Sequence, residues 1–426
     1  MSGWLRGRVD RTALAIGGRA LDYGGLGAAA AAFELPADGA PVFVGPGADP
    51  LAALVAVLAG LERGRRVVVG AGEAPTAALP PGTELALTTS GSSDAAGRAR
   101  IVARTNASWL ASAAPLAEVA GIAPGAVVLL SGPLHVSMHL YAALHTLFLG
   151  GTLTDEPRAA EVVHATPTRL LRLLDSPAVP ATAIVAGAAV PEALRELAAA
   201  RGVRLIEYYG AAELSFVGIG EGGALAAFPG VEVELRDAAA GAGLELWARS
   251  PYLALGVQGG GMLRRDERGF ATVGDLAEPV AARPADPSAD PAAARPSAAG
   301  ASTTPPRFRV LGRGDAAITV AGATVLAEEV EHRLAELPGV AAAVVLGEPD
   351  ELLGQRLVAV VELVPGADPE PAIAAAGALP AAWRPRRWHQ ASSVPVTASG
   401  KPARGVVASE LRAGRLPRID RQEVRP

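Results

Sequence analysis

Short apolar runs alternate with helical stretches from about residue 88 to residue 250, and this alternation restricts the fold more than any other feature of the chain. Val127-Val128-Leu129-Leu130 reads as a buried strand, and Ser137 to Leu149 as a helix ending at Gly150-Gly151. Thr168 to Leu174 and Pro191 to Arg201 read as helices, and Ala183 to Ala186 and Val203 to Glu207 as strands. Upstream, Ala52 to Leu61 is helical in pattern and Arg66 to Val69 has a buried-strand pattern. Such alternation builds α/β layers around a mostly parallel sheet. Ligands meet such sheets at the carboxyl ends of the strands. Half of the residues are apolar, enough for sizeable cores. Aromatics make up only 4%, so Ala, Val and Leu must fill much of the interior.

The 426 residues suggest two or three domains. Residues 281–306 are low-complexity, rich in Pro, Ala and Ser, with no apolar periodicity. They read as a disordered surface insertion. Beyond them, Arg307 to Leu311 is a strand pattern and Gly312 to Asp315 a turn. Leu326 to Leu337 is an amphipathic helix, and Val340 to Leu346 and Leu357 to Leu363 are strands. The expected division is a large domain over 1–312, carrying the insertion, and a small α+β domain over 313–426.

Composition removes several function classes. A net charge of -5 leaves no basic footprint for nucleic acid. The chain has no cysteine, which excludes disulfides, thiolate metal sites and a cysteine nucleophile. Met1 to Arg6 does not lead into an apolar run of signal-peptide type. Gly and Pro break every uncharged stretch that could span a bilayer. A soluble cytoplasmic protein is expected. The basic residues are more informative: Lys401 is the single lysine, and the other 37 of the 38 are arginine. A compact ammonium on a flexible stem reaches a phosphate or acyl oxygen in ways that a planar guanidinium does not.

Four segments could carry chemistry. Thr88 to Arg98 is a hydroxyl- and glycine-rich loop after a strand, the type that offers N–H and O–H donors to phosphate oxygens; it has no G-x-x-x-x-G-K-[ST] pattern. Tyr208-Tyr209-Gly210-Ala211-Ala212-Glu213 follows a strand. An aromatic there can stack on a purine, and a carboxylate can face a phosphate-bound Mg²⁺. Thr272-Val273-Gly274-Asp275 puts a carboxylate on a tight turn, suited to ribose hydroxyls. Pro395 to Arg404 carries the lone lysine on a Ser-Gly loop. Each segment alone is no more than a turn, a helix end or an exposed loop residue.

In order and spacing, however, they resemble the adenylate-forming (AMP-binding) superfamily of acyl-CoA ligases, peptide-synthetase adenylation domains and luciferases. Thr89-Ser90-Gly91-Ser92-Ser93 is similar to its phosphate loop, T-S-G-S-T-G-x-P-K. Gly132-Pro133-Leu134-His135 resembles P-L-x-H, Thr166 to Leu170 resembles V-P-T-x-L, and Val185 to Ala188 resembles the G-G-A strand. Tyr209 to Glu213 resembles Y-G-x-T-E, Gly274-Asp275 falls in T-G-D, and Leu311 to Asp315 with Gly322 resembles G-R-x-D…G. Gly347-Glu348-Pro349-Asp350…Gly354 and the P-x-T-x-S-G-K-x-x-R segment around Lys401 complete the set, which spans about residues 88–404. The short N-terminal part resembles the compact o-succinylbenzoate-CoA ligase-like members.

The resemblance implies a mixed α/β protein, with a large N-terminal domain of sheets flanked by helices and a small C-terminal α+β lid. It implies ATP, Mg²⁺ and CoA as cofactors and a small carboxylic acid as substrate, activated as acyl-AMP and passed to CoA or to an acyl carrier protein. Lys401 and Glu213 would be catalytic, with Glu213 on Mg²⁺. Thr89, Ser90, Gly91, Ser92, Ser93, Arg98, Tyr209, Gly210, Asp275 and Arg313 would bind the nucleotide. Asp315 would be the hinge, and His135, Gly187 and Gly322 would border the acyl and pantetheine pockets. The chain departs from the pattern at Asp94 for the loop glycine, Ala212 for threonine and Thr319 for the lysine after the hinge, and Arg98 is the loop's cation. Asp94 and Ala212 favour a non-catalytic nucleotide- or acyl-binding homologue, and the retained Lys401 disfavours it.

Overall fold

A computed structural model describes residues 3–71, 79–89, 100–238, 243–258, 263–280, 307–313, 317–320, 323–350, 354–397 and 401–419. The expected insertion 281–306, residues 90–99, Asp315 and Gly322 lie outside them.

The alternating segments form the expected layers. Val127–Leu129, Val162–Ala165, Thr182–Val185 and the first half of Arg204–Ala211 run parallel, in register through Ile184 with His164 on one side and Ile206 on the other. The helices Pro167–Leu174 and Glu192–Ala200 cover one face through Leu170, Leu174, Leu194 and Ala198 against Val163, Ala165, Ala183 and Val185. The helix Ser137–Phe148 covers the other face. Thr166 caps the first of these helices by accepting from the Arg169 N–H, and Pro167 at its start supplies a fixed φ that suits a first turn.

The sheet is not mostly parallel, which corrects one expectation. Arg204–Ala211 runs four residues past the expected end at Glu207, then turns back as an antiparallel hairpin with Ser215–Glu221. From there, the strand pairs through Ala224–Ala227, Leu244–Arg249, Asp275–Pro279 and Phe308–Arg313 are antiparallel. Apolar runs read alike in parallel and antiparallel strands when both faces are covered, so pattern could not separate them. Gly312 and Arg313, expected in a turn, are the last residues of the Phe308–Arg313 strand. A second sheet joins Val42–Val44, Val67–Val69 and Leu85–Thr89 in parallel, with Arg100–Arg104 and Gly256–Gln258 antiparallel at its other end.

Phe308–Arg313 belongs to the large sheet and Ala317–Val320 to a separate one with Ala323–Leu326, Val340–Asp350, Gly354–Leu363 and Arg387–Ala391. The helix Ala327–Ala335 packs Val330 and Leu334 on that sheet, and Ile318, Val345, Leu357, Val361 and Trp388 fill its core. The chain is thus a mixed α/β protein with a large sheet-and-helix unit and a smaller C-terminal α+β unit.

The scarce aromatics are concentrated in one place. Trp109, Tyr141, Phe216, Phe228 and Tyr252 touch in sequence with ring centroids 5.0 to 5.7 Å apart. Each pair adds about 0.5–1.5 kcal/mol beyond area burial. Through Phe216, the chain of rings underlies the hairpin that carries Tyr209 and Glu213.

Candidate active site

The carboxyl ends of the parallel strands form one edge, and among the described residues Gly187, Tyr209 and Lys401 gather along it. Val127–Leu129 leads into Ser131-Gly132, Val162–Ala165 into Thr166, and Thr182–Val185 into Ala186-Gly187. Gly187 has φ +94°, a left-handed conformation that favours glycine. A methyl built on it would lie 3.3 Å from Thr166 Cγ2 and 3.6 Å from Cε of Lys401. The lone lysine, exposed at a loop tip of the small unit, is therefore seated beside a strand end of the large one.

Its loop is held on both sides. The Thr397 N–H donates to the Lys401 carbonyl at 2.7 Å, the Lys401 N–H donates to Thr397 Oγ1 at 3.3 Å, and the Ala403 N–H donates to the Pro395 carbonyl at 2.8 Å. Three residues on, Arg404 donates to Glu331 through Nε at 3.1 Å and Nη2 at 2.5 Å, and to Glu328 through Nη1 at 3.2 Å. Both carboxylates lie on the Ala327–Ala335 helix. Arg404 closed the lysine motif in sequence, but only folding shows that it anchors the loop.

Next along the edge, Tyr209 in the Arg204–Ala211 strand donates its phenolic O–H to Oδ2 of Asp275 at 2.5 Å. Asp275 follows a turn in which Gly274 has φ +84° and donates its N–H to Thr272 Oγ1. In the sheet, Asp275 pairs directly with Arg313; the Arg313 side chain lies outside the described residues. Tyr209, Asp275 and Arg313, spread over 105 positions, thus share one corner of the sheet. Gly210 is required by close approach: a Cβ there would sit 2.2 Å from the Ser215 carbonyl oxygen.

Glu213 is buried, with 3% of its surface exposed. Its Oε1 meets Nη1 of Arg100 at 3.4 Å. Arg104, four residues further on the same face of that strand, is fully buried and donates to the carbonyls of Ala212 and Tyr252; burial lowers its pKa to about 10, with Glu213 opposing the shift. The two arginines were missed in sequence. The signal was there, since R-I-V-A-R puts both on one face of an otherwise apolar strand. Among the described residues no three His, Asp or Glu side chains assemble into a metal site. Glu213 is a lone carboxylate with one oxygen already taken by Arg100, which does not suit a resident metal ion.

His135 lies farther round, with Nδ1 3.1 Å from the Pro46 carbonyl oxygen. A methyl on Gly70, whose φ is +92°, would meet Thr88 Oγ1 and, at 3.3 Å, the His135 Cβ. His135 thus adjoins the strand that enters the phosphate-type loop. Thr89 ends that strand, its side chain outside the described residues, and Ser90, Gly91, Ser92, Ser93, Asp94 and Arg98 are outside them altogether, as are Asp315 and Gly322. Behind His135, three buried histidines line the inner face of the Ser137–Phe148 helix and the strand beneath it. Desolvation holds His139 at about 3, with Arg169 and His135 adding to it, His145 at about 4, and His164 at about 3.

The chain is similar to known proteins in part and over its length. Residues 329–401 match the AMP-binding enzyme C-terminal domain, the segment running from the Ala327–Ala335 helix to Lys401. An uncharacterized acyl--CoA ligase, YhfT of Bacillus subtilis (strain 168), is 29% identical over 355 residues, covering 76% of this chain and 67% of the relative. The chain is thus similar to AMP-binding enzymes and acyl-CoA ligases. A probable 2-succinylbenzoate--CoA ligase of Mycobacterium tuberculosis (strain CDC 1551 / Oshkosh) is 27% identical over 272 residues, 62% of each chain. The chain thus spans about two thirds of the length of the curated relatives it matches. The fold of two solved structures is shared over nearly the whole chain. ATP-bound MatB from Rhodopseudomonas palustris aligns with TM-score 0.72 at 20% identity, over 95% of this chain and 97% of that one. The o-succinylbenzoate CoA synthetase MenE from Bacillus subtilis, in complex with its acyl-adenylate intermediate, aligns with TM-score 0.73 at 18% identity, over 93% and 95%. Among the described residues no helix is long and apolar enough to cross a membrane.

Proposed function

We propose that this protein activates a carboxylic acid with MgATP to an acyl-adenylate and passes the acyl group to the thiol of coenzyme A. The observation that supports this most is Lys401 Cε beside Gly187, on the same sheet edge as the Tyr209–Asp275 pair. An ammonium there faces the space where a carboxylate and an α-phosphate would meet.

In the first step a carboxylate oxygen attacks the α-phosphorus and pyrophosphate leaves with its electron pair. Little covalent chemistry falls to the protein, so positioning and charge neutralisation carry the rate. Lys401 bridges the attacking carboxylate and an α-phosphate oxygen, where charge concentrates in the transition state. Tyr209 stacks on the adenine, and Asp275 and Arg313 take the ribose. The loop from Thr89 to Ser93, with Arg98, cradles the β- and γ-phosphates. Glu213 faces the magnesium of the incoming MgATP. His135 and Gly187 border the acyl group. In the second step the thiol loses its proton, its sulfur attacks the acyl carbon, and AMP leaves. The small unit, joined through residues 314–316, turns about Asp315 and brings Gly322 to the pantetheine. Turning of such a lid commonly sets turnover. A second acceptor is supported by one relative, a fatty acid--[acyl-carrier-protein] ligase, ScoC of Streptomyces coeruleorubidus, 42% identical over 99 residues.

The test is exchange of labelled pyrophosphate into ATP across a panel of carboxylic acids, followed by thioester formation with free CoA or a phosphopantetheinyl carrier protein. Acid-dependent exchange with a CoA thioester as product is expected. ATP binding without exchange for any acid would overturn the reading.

A further inference from the structure

Arg404 holds two carboxylates of the Ala327–Ala335 helix, and their surroundings differ. Glu331 is buried, and its Oε1 also accepts from the Val345 N–H at 2.8 Å. Arg404 and Val345 both belong to the small unit, so this anchor keeps the shape of the lysine loop whatever the orientation of that unit. Glu328 is half-exposed. Its Oε1 takes Nη1 of Arg404 at 3.2 Å, but its Oε2 rests on the large unit. A methyl built on Gly312 would lie 2.5 Å from that oxygen and 3.3 Å from Cβ and Cδ of Glu328.

The strand at Gly312 is shaped for this contact. Leu276 pairs with Gly312 and Ala277 with Val310, which leaves Leu311 as an extra residue. Gly312 has φ +132°, which a residue with a side chain does not readily adopt. An extra residue beside a glycine bends a strand and lets another group approach its backbone closely; Glu328 is that group. The next pair along is Asp275 with Arg313. A continuous run of contacts thus leads from the lysine loop through Arg404 and Glu328 to Gly312, and on to the corner that Tyr209 shares with Asp275.

The neighbouring carboxylate does not fasten the helix there. Glu329 faces Glu278 and Arg309 of the large unit, and burial first, then Glu278, raises its pKa. Arg309 already pairs with Glu278 at 2.9 Å, so Glu329 meets a satisfied pair.

We infer that Glu328 is a positioning residue for acid activation: its carboxylate is the spacer that sets the Lys401 loop against the nucleoside corner, and only in this orientation of the small unit. The inference rests on the acid-activating function proposed above. Turning the small unit for the thioester step would lift Glu328 off Gly312 while Arg404 stays on Glu331. Lys401 would then withdraw with its loop intact.

The two half-reactions are compared in Glu328→Ala, Glu328→Gln and the unmodified protein. Glu328→Ala should lower kcat for pyrophosphate exchange by a factor on the order of 10–100, the effect of a small misplacement of a positioned group, with KM for ATP and acid little changed. Conversion of synthetic acyl-AMP and CoA to thioester should be spared. Glu328→Gln keeps the shape and an acceptor oxygen and should recover most of the exchange rate. Normal exchange in Glu328→Ala overturns the inference. So does equal loss in both half-reactions, since Glu328 would then only support the fold of the small unit. A second measurement needs no turnover. The chain has no cysteine, so Ala200→Cys on the large unit and Ala413→Cys on the small one, both exposed, accept a donor and an acceptor dye. The share of molecules with the energy transfer of this orientation should fall on adding Glu328→Ala and return with Glu328→Gln. If no acid supports exchange, the proposed function fails and this measurement decides the spacer alone: identical transfer in all three proteins overturns it.

Discussion

The phenolic oxygen of Tyr209 and Oδ2 of Asp275 are 2.5 Å apart, and this contact joins the last parallel strand to the antiparallel half of the large sheet. The Y-G-x-T-E and T-G-D segments, 66 residues apart, therefore form one corner. Because the acceptor is a carboxylate, the bond is worth about 1.5–3 kcal/mol. Tyr209→Phe keeps the ring and removes the donor. Weaker ATP binding, by about 5–20-fold on titration, and a lower urea midpoint are expected. Unchanged ATP affinity would show that this corner does not hold the nucleoside.

Arg100 and Glu213 form a buried ion pair, with 8% and 5% of their side chains exposed. Removing one partner strands the other charge, at a cost of about 3–5 kcal/mol. Arg100→Met and Glu213→Gln should each lower stability, and Arg100→Met with Glu213→Leu together should recover much of the loss. Exchange activity should not recover in the double variant, because the carboxylate proposed to face MgATP is gone. Denaturation midpoints and exchange rates on the three variants separate the two roles; full recovery of both would mean that the pair is structural only.

Lys401→Arg keeps the charge and changes its shape, and Lys401→Ala removes it. Both should cut adenylation by a factor on the order of a hundred or more, while conversion of synthetic acyl-AMP and CoA to thioester is largely spared. Stability should be little changed, since Lys401 is an exposed loop residue. Arg404→Ala should also slow adenylation, through loss of the Glu328 and Glu331 anchors, but with a fall in stability that Lys401→Ala does not show. Normal exchange in Lys401→Ala would sink the assignment.

His139, His145 and His164 are held neutral, at about 3, 4 and 3, first by burial. Their folded pKa values lie below the ordinary 6.5, so the unfolded chain binds these protons first. The stability that depends on their neutrality is complete above pH 6.5 and falls as pH drops towards 4. With all three in that window the slope is about 4 kcal/mol per pH unit. Urea midpoints measured from pH 7 to pH 4.5 should show this fall, and His164→Asn should reduce the slope by about a third. A flat profile would show that the histidines are solvated.

A lone lysine on a Ser-Gly loop, a carboxylate after Gly274 and an aromatic at a strand end are each no more than a turn or loop residue taken alone; their order and spacing along the chain, through the resemblance to the adenylate-forming superfamily, singled them out without coordinates. Periodicity likewise located the helices at Ser137–Phe148 and Ala327–Ala335 within two residues of their ends. Strand direction was not legible, since Arg204–Ala211 has the same apolar pattern whether its neighbour runs parallel or antiparallel. Nor was charge pairing. Arg169 is one of 37 arginines with nothing in its flanking residues to separate it from solvated ones, and although R-I-V-A-R puts Arg100 on an apolar strand and the lysine motif ends at Arg404, neither pattern names a partner. Only the tertiary structure decided that Arg100 faces Glu213 across 113 positions, that Arg404 pins the lysine loop to Glu331, and that Arg169 shares Gly132 with His139. Burial sets the worth of a charge, and burial is a property of the packed chain as a whole.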